Sequence, residues 1–180
     1  MEGKPLPMAT SKGDSEPAPK RQRRLPKWFK TRLPSGEQQA IFNTTKTAVK
    51  DNKLHTVCEE ARCPNIHDCW ASGDATFMIA GQECTRGCRF CAVGTIKRPP
   101  ALDPEEPAHL AQAVTSMNLR HAVITVVNRD DLPDSGADHY KQCIDAVHAQ
   151  APEVTLELLC SDLAGDHGAL KHLLDNSPLA

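Results

Sequence analysis

The feature that most constrains this chain is its cysteines, six of which lie between positions 58 and 91. They form two triplets of different spacing: Cys58, Cys63 and Cys69, then Cys84, Cys88 and Cys91. Sulfur ligands favour iron-sulfur clusters or zinc. Three thiolates on a four-iron cluster leave one iron without a protein ligand, where a small molecule can bind. The pattern therefore predicts two metal centres side by side.

Zinc is the main alternative at these sites. A structural zinc site needs four closed ligands, usually with paired two-residue spacings, and no fourth ligand follows Cys91. His55 and His67 flank the first triplet, and we expect them to be supporting or surface groups, since the cysteines already account for the site. Cys143 and Cys160 fall in apolar segments and are expected in the core.

The composition is that of a globular chain rather than a membrane or nucleic-acid-binding protein. The 180 residues are 39% hydrophobic and carry a net charge of -2. The longest apolar stretch, residues 75–81, is far shorter than the roughly 20 residues of a membrane helix. Residues 1–33 show no signal peptide. We therefore expect a cytoplasmic protein whose thiols stay reduced and bind metal.

Three segments are expected along the chain. Residues 1–25 are basic and rich in proline, which predicts a disordered tail. Trp28 and Phe29 continue the basic run, which is read either as a solvated arm that docks on the domain or as a binding segment for RNA, a membrane surface or an acidic partner. Residues 26–72 form an extension with the first triplet, and residues 73–180 form the main domain.

Hydrophobic periodicity predicts an α/β fold. Helices are expected over residues 38–52, 104–118, 137–150 and 168–175, and strands over 75–81, 121–127 and 154–160. Alternating strands and helices build parallel sheets, and polar residues 128–131 follow the second strand, at the edge where such folds place their sites. That strand is continuously apolar, which predicts cover on both faces. Three strands cannot close a barrel, so two open edges are expected.

Several motifs together resemble one known family. The second triplet, Cys84-Thr-Arg-Gly-Cys-Arg-Phe-Cys91, is similar to the cluster-binding motif of the radical S-adenosylmethionine (SAM) superfamily. Residues 54–70, 75–78 and 128–134 add further similarity, and with it the chain resembles the lipoyl synthase family. The first triplet is the part most particular to that family.

The resemblance implies a fold, cofactors and a reaction. The fold would be a partial (β/α) barrel of the radical SAM type. The second triplet would hold a 4Fe-4S cluster that binds SAM, and the first triplet an auxiliary 4Fe-4S cluster that is consumed as it donates sulfur. Reductive cleavage of SAM would give a 5′-deoxyadenosyl radical, and two sulfur atoms would enter at C6 and C8 of a protein-bound octanoyl group.

The resemblance also implies site residues and partners. Phe90 would pack near the adenosine, and Asn128, Arg129 and Asp130 would lie near the cofactor pocket, for which a solvated turn is the alternative. No individual catalytic residue is assigned. The partners would be an octanoylated lipoyl carrier domain, from a 2-oxoacid dehydrogenase E2 or a glycine cleavage H protein, and an electron donor such as flavodoxin or ferredoxin.

The sequence departs from the family in places. Lipoyl synthases are longer and end in an Arg-Ser-Ser-Tyr motif whose serine is the fourth ligand of the auxiliary cluster, whereas this chain stops at Ala180. Ser135 stands where the family usually has glycine. We therefore expect poor catalysis by this chain alone. The alternative is a truncated, non-catalytic iron-sulfur or zinc-binding module derived from such an enzyme.

Overall fold

The computed structural model describes residue 26 and residues 35–180. Most of the predicted tail and basic run, with Trp28 and Phe29, lies outside the described residues. The elements, in chain order, are α1 (Glu37–Asp51), β1 (His55–Thr56), α2 (Val57–Glu60), α3 (Ile66–Ser72), β2 (Asp74–Ile79), β3 (Glu83–Cys84), β4 (Gly94–Thr95), α4 (Glu106–Ser116), β5 (His121–Val126), α5 (Ala137–Gln150), β6 (Thr155–Leu159) and α6 (His167–Leu174). All seven predicted helices and strands are present, within a few residues of their expected bounds.

The main sheet has the strand order β1-β2-β5-β6. β2, β5 and β6 are parallel, as the alternation of strands and helices predicts. β1 is antiparallel to β2 and covers one of its edges, pairing His55 with Met78 and Thr56 with Phe77. The edge of β2 that was expected to be open is therefore paired, and that expectation was wrong. β1 was not predicted because a two-residue strand is too short to show a periodic pattern.

The helices cover one face of the sheet. Phe77, Ala122, Ile124 and Leu156 are almost completely buried on that side and form one core with buried residues of α4 and α5, which pack against each other. On the opposite face of β5, Val123 and Thr125 are only half-buried. The prediction that this strand is covered on both faces was therefore wrong for the part of the chain that the structure describes.

The segment that leads into α5 is fixed by Tyr140. Its hydroxyl donates to the carbonyl oxygens of Val127, at 3.1 Å, and Ser135, at 2.9 Å. Gly136 has φ +87°, and a Cβ at this position would lie 2.8 Å from the tyrosine oxygen. Ser135 also has a positive φ, +55°, so the position where the family usually has glycine holds a left-handed serine here. The loop after β5 is therefore tightly packed.

An aromatic contact joins two helices of the extension, and α1, α2 and α3 contact α4 and β2 of the main domain. Phe42 on α1 stacks on Trp70 of α3, with ring centroids 5.3 Å apart. Trp70 is almost completely buried, and Thr45 and Val49 complete the buried face of α1. Within residues 35–180, no helix combines the length and apolar character needed to cross a bilayer.

Candidate metal centres

The second triplet lies on one loop between β2 and α4, which we call the cluster loop (residues 81–99). A two-residue parallel pair, β3 with β4, brings Glu83 beside Gly94 and Cys84 beside Thr95. The amide of Cys91 donates to the carbonyl of Cys88 at 3.0 Å, which makes a tight turn between these two cysteines. The loop therefore places its three cysteines after β2, at the carboxyl edge of the sheet.

Cys84 has surroundings that suit an anionic sulfur. It is buried, and its Sγ accepts the backbone N–H groups of Arg86, at 3.4 Å, and Asn128, at 3.3 Å. Such donors stabilise a thiolate and tune the potential of a cluster bound to it. Cys88 and Cys91 are exposed, so their sulfurs are accessible to a metal centre at the surface of the loop. The donor set and its polar contacts fit an iron-sulfur cluster.

The segment after β5, Asn128–Asp131, attaches to the cluster loop; we call it the strand-end segment. The carbonyl of Asn128 accepts both the amide and the hydroxyl of Thr85, each at 3.0 Å. Asp130 accepts the Thr85 hydroxyl at 2.6 Å and the Arg86 Nε at 2.8 Å. The Arg86 hydrogen bond, followed by that of Thr85, lowers the pKa of Asp130. The segment and the loop are thus one hydrogen-bonded unit.

Arg86 joins a second strand end to this unit. Its Nη1 donates to Asp162, in the loop after β6, at 2.7 Å. The hydrogen bonds to Asp130 and then Asp162 raise the pKa of the guanidinium, and the pKa of Asp162 is lowered in turn. The carboxyl ends of β5 and β6 are therefore both tied to the segment between Cys84 and Cys88.

The predicted cofactor residues are placed differently from one another. Asn128 and Asp130 contact the cluster loop, as described above. Arg129 turns inward, is 2% exposed, and forms a bidentate pair with Asp131. Phe90 stands between Cys88 and Cys91 in the sequence and is 93% exposed, so its ring does not pack on the described part of the chain. Their roles toward a cofactor remain predictions.

The first triplet lies on α2, the following turn and α3. The Thr56 hydroxyl accepts the Glu59 amide at 3.3 Å and so caps α2, while the Cys63 amide donates to the Cys58 carbonyl at 3.0 Å. The pKa of Cys69 is raised, first by burial and then by the negative charges of Cys58 and Cys63. Cys58 and Cys63 therefore lie close enough to Cys69 for their charges to act on it.

The two triplets connect to different ends of β2. β1 runs antiparallel to β2, so the chain moves from His55 beside Met78 toward the amino end of β2, where the first triplet lies. α3 ends at Ser72, next to the start of β2 at Asp74. The second triplet follows the carboxyl end of β2. His55, just before the first triplet, nevertheless shares a 2.7 Å hydrogen bond with Gln82 of the cluster loop. That the two centres lie side by side stays a prediction.

One group of potential ligands was missed by the sequence analysis. The ligand atoms of Glu106, His139 and Cys143 lie within 4.8 Å of one another. Glu106 already accepts His139 Nε2 at 2.6 Å and the Ala80 amide at 2.9 Å, and Cys143 is completely buried, which raises its pKa. We interpret the group as a polar anchor within the core. His139 and Cys143 are spaced as i and i+4 on the apolar face of a helix, which is the only sequence signal for it.

The remaining predicted side chains are two cysteines and two histidines, and one of the cysteines differs from expectation. Cys143 lies in the core as expected, whereas Cys160 is exposed, so that expectation was wrong; β6 ends one residue earlier, at Leu159. His67 lies against Phe42, with ring centroids 4.2 Å apart. His55 shares a 2.7 Å hydrogen bond with Gln82 of the cluster loop. Both histidines thus have supporting contacts.

Comparison with known proteins agrees with this arrangement. The model of the radical SAM superfamily matches residues 78–178, which include the second triplet and the strand-end segment. This chain belongs to the radical SAM superfamily. A second family model, the N-terminal domain of lipoyl synthase of the radical SAM family, matches residues 5–63, which include Cys58 and Cys63.

Individual relatives point the same way. The chain is 47% identical over 154 residues to lipoyl synthase of Halorhodospira halophila, an alignment covering 86% of this chain and 45% of the relative. It is 49% identical over 153 residues to lipoyl synthase of Chlorobaculum parvum, covering 85% and 51%. It is 44% identical over 155 residues to mitochondrial lipoyl synthase of Danio rerio, covering 83% and 38%. The chain spans about half the length of these curated relatives or less.

Proposed function

We propose that this radical SAM protein acts in lipoyl synthesis, inserting two sulfur atoms at C6 and C8 of protein-bound octanoyl groups. The observation that carries the proposal is the alignment with lipoyl synthases, which covers 85% or more of this chain in two bacterial relatives and includes both cysteine triplets. The alternative, a non-catalytic metal-binding module, is not favoured by these relatives.

The second triplet would hold the cluster that binds SAM. Cys84 would be the inner ligand, since its sulfur is buried and accepts two backbone amides, and Cys88 and Cys91 would be the outer ligands. When bound, this cluster would supply the electron that cleaves SAM. The residues of the chain would position the thiolates and hold the loop against the strand ends.

The first triplet would hold the auxiliary cluster that donates sulfur. Cys69 of this triplet lies near Asp74, where β2 begins, whereas the second triplet follows the end of β2. An octanoyl chain along the uncovered face of the sheet would then lie between the two centres. This placement requires a partial barrel around the substrate, and the half-buried side chains of Val123 and Thr125 would line it.

The partners follow from this chemistry. We propose that an octanoylated lipoyl carrier domain, from a 2-oxoacid dehydrogenase E2 or a glycine cleavage H protein, supplies the substrate, and that flavodoxin or ferredoxin supplies electrons. We also propose a cytoplasmic location. It is supported by the eight cysteines, all of which are free thiols, as expected in a reducing compartment.

The proposal is tested by anaerobic reconstitution of the chain with iron and sulfide. The loaded protein is incubated with SAM, dithionite and an octanoyl-lysyl peptide, and 5′-deoxyadenosine and thiolated peptide are measured by mass spectrometry. We expect 5′-deoxyadenosine from the unsubstituted chain and none from Cys84→Ala. The matched control is Cys143→Ala, which changes a buried thiol outside both triplets. SAM cleavage that is equal in the Cys84→Ala variant and the unsubstituted chain would contradict the assignment.

A further inference from the structure

The cluster loop has little regular structure to hold it in shape. Between the end of β2 and the start of α4, the only paired strands are the two residues of β3 and the two of β4. Ligands must nevertheless be preorganised to bind a cluster tightly, and a loop is less precise than a helix or strand as a support. The positions of its two ends therefore matter.

One buried guanidinium contacts both ends of the loop. Arg129 Nη1 donates to the carbonyl of Ala80, just before the loop, at 3.2 Å. Its Nη2 donates to the carbonyl of Pro100, just after the loop, at 3.0 Å. Asp131 holds the guanidinium in this orientation, accepting Nε and Nη2 at 2.8 Å each. The planar guanidinium of Arg129 is therefore hydrogen-bonded to the residues at both ends of the loop.

The Ala80 peptide is held from its other side as well. Its amide donates to Glu106 Oε2 at 2.9 Å, and that oxygen is also within 2.6 Å of His139 Nε2. Ala80 has φ +69°, a left-handed conformation that is unfavourable for alanine and persists only when its surroundings impose it. Glu106 and Arg129 provide those surroundings at the point where the loop begins.

These contacts leave little of the guanidinium for another ligand. An arginine has five N–H donors in a fixed geometry, and four hydrogen bonds to Asp131, Ala80 and Pro100 are present here. The side chain is also 2% exposed. One N–H donor is left, so Arg129 could donate at most one bond to a bound cofactor without breaking one of these four.

We propose that Arg129 is a positioning residue that fastens both ends of the cluster loop and so presets the second triplet for its cluster. This inference rests on the proposed function insofar as the loop holds a cluster. Lysine keeps the charge but has no planar fork, so it cannot bond Ala80, Pro100 and both oxygens of Asp131 together.

The test uses the full chain with alanine at all three positions of the first triplet, so that any cluster is on the second. Arg129→Lys is added to this parent. The control, Arg120→Lys, makes the same change in an arginine whose Nε donates to the Ser72 carbonyl at 2.8 Å, near the amino end of β2. Hydrogen exchange of residues 81–99 is measured in the metal-free protein, and iron content and electron paramagnetic resonance (EPR) spectra are measured after reconstitution.

We expect Arg129→Lys to raise hydrogen exchange in the loop about tenfold, as for loss of a charge-assisted hydrogen bond, and to reduce bound iron. The cluster that remains should still change its EPR spectrum when SAM is added. Arg120→Lys should match the parent in all three measurements. An Arg129→Lys variant with normal loop exchange and iron that loses only the response to SAM would overturn the inference, since Arg129 would then contact the cofactor itself.

Two further outcomes are a folding defect in the variant and a failure of the proposed function, and the experiment distinguishes them. If Arg129→Lys loses its far-ultraviolet circular dichroism, Asp131→Asn replaces it; this variant removes one of the two carboxylate acceptors that orient the guanidinium, and unchanged loop exchange in it overturns the inference. If the parent binds no iron or does not respond to SAM, the proposed function fails. The loop exchange in metal-free protein still decides the role of Arg129.

Discussion

The buried pair of Arg129 and Asp131 gives a quantitative test of the structure. Asp131→Asn keeps the shape of the side chain and one acceptor oxygen but removes the negative charge opposite a guanidinium that is 2% exposed. Removing one partner of a buried ion pair costs about 3 to 5 kcal/mol. Because the Asp131 side chain is 18% exposed and asparagine keeps one acceptor, we expect the lower end or slightly less, about 2 to 3 kcal/mol.

The assay is urea unfolding of the metal-free chain at pH 7, followed by circular dichroism. The matched control is Asp145→Asn, which breaks the pair between Lys141 and Asp145 on α5. Asp145 is 52% exposed, so this change should cost less than about 0.5 kcal/mol. If the two variants lose equal free energy of unfolding, the reasoning about the buried guanidinium is refuted.

The pH dependence of the same difference checks its cause. The hydrogen bond from Arg129 lowers the pKa of Asp131 in the folded chain. A carboxyl with a lowered folded pKa stabilises the native state fully above its unfolded pKa of about 3.9, and this stabilisation is lost as the pH falls through the folded pKa. The difference between the unsubstituted chain and Asp131→Asn should therefore shrink below about pH 4. A difference that stays constant in acid contradicts an ionic origin.

Two other predictions concern packing and thiol access. Gly136→Ala should cost more than about 2 kcal/mol, because its Cβ would lie 2.8 Å from the Tyr140 oxygen at a positive φ. Gly165→Ala, where φ is +77° and no atom lies within 4 Å, should cost only about 1 kcal/mol in the same urea assay; equal losses would contradict the contact. In metal-free native protein, iodoacetamide should modify exposed Cys160 well before buried Cys143, as read by peptide mass spectrometry. Early modification of Cys143 would contradict its burial.

The regular elements were predictable because each carries a strong local pattern. β5 is a β-branched apolar run, and α5 has Tyr140, Cys143 and Val147 on one face. β1 could not be predicted because two residues show no periodic pattern. The direction of the chain before the first triplet could therefore not be predicted either. The β3–β4 pair was missed for the same reason.

In the candidate site as well, features with a local sequence pattern were predictable and features that depend on distant residues were not. The cysteines could be predicted because their spacing is local, and the attachment of the strand-end segment to the loop follows from its position after a parallel strand. The inward direction of Arg129 could not be predicted. It is decided by the carbonyls of Ala80 and Pro100, which lie 49 and 29 positions away in sequence. Only the folded chain brings them together.

The central claim is that the two triplets bind two separate clusters. The most direct measurement is iron and sulfide per chain after anaerobic reconstitution, for the unsubstituted protein and for variants with alanine throughout one triplet or the other. We expect about eight irons in the unsubstituted protein and about four in each variant, since each four-iron cluster is held by its own thiolates. Protein that stays colourless and binds no iron, or a variant that loses all of its iron with one triplet intact, would contradict it.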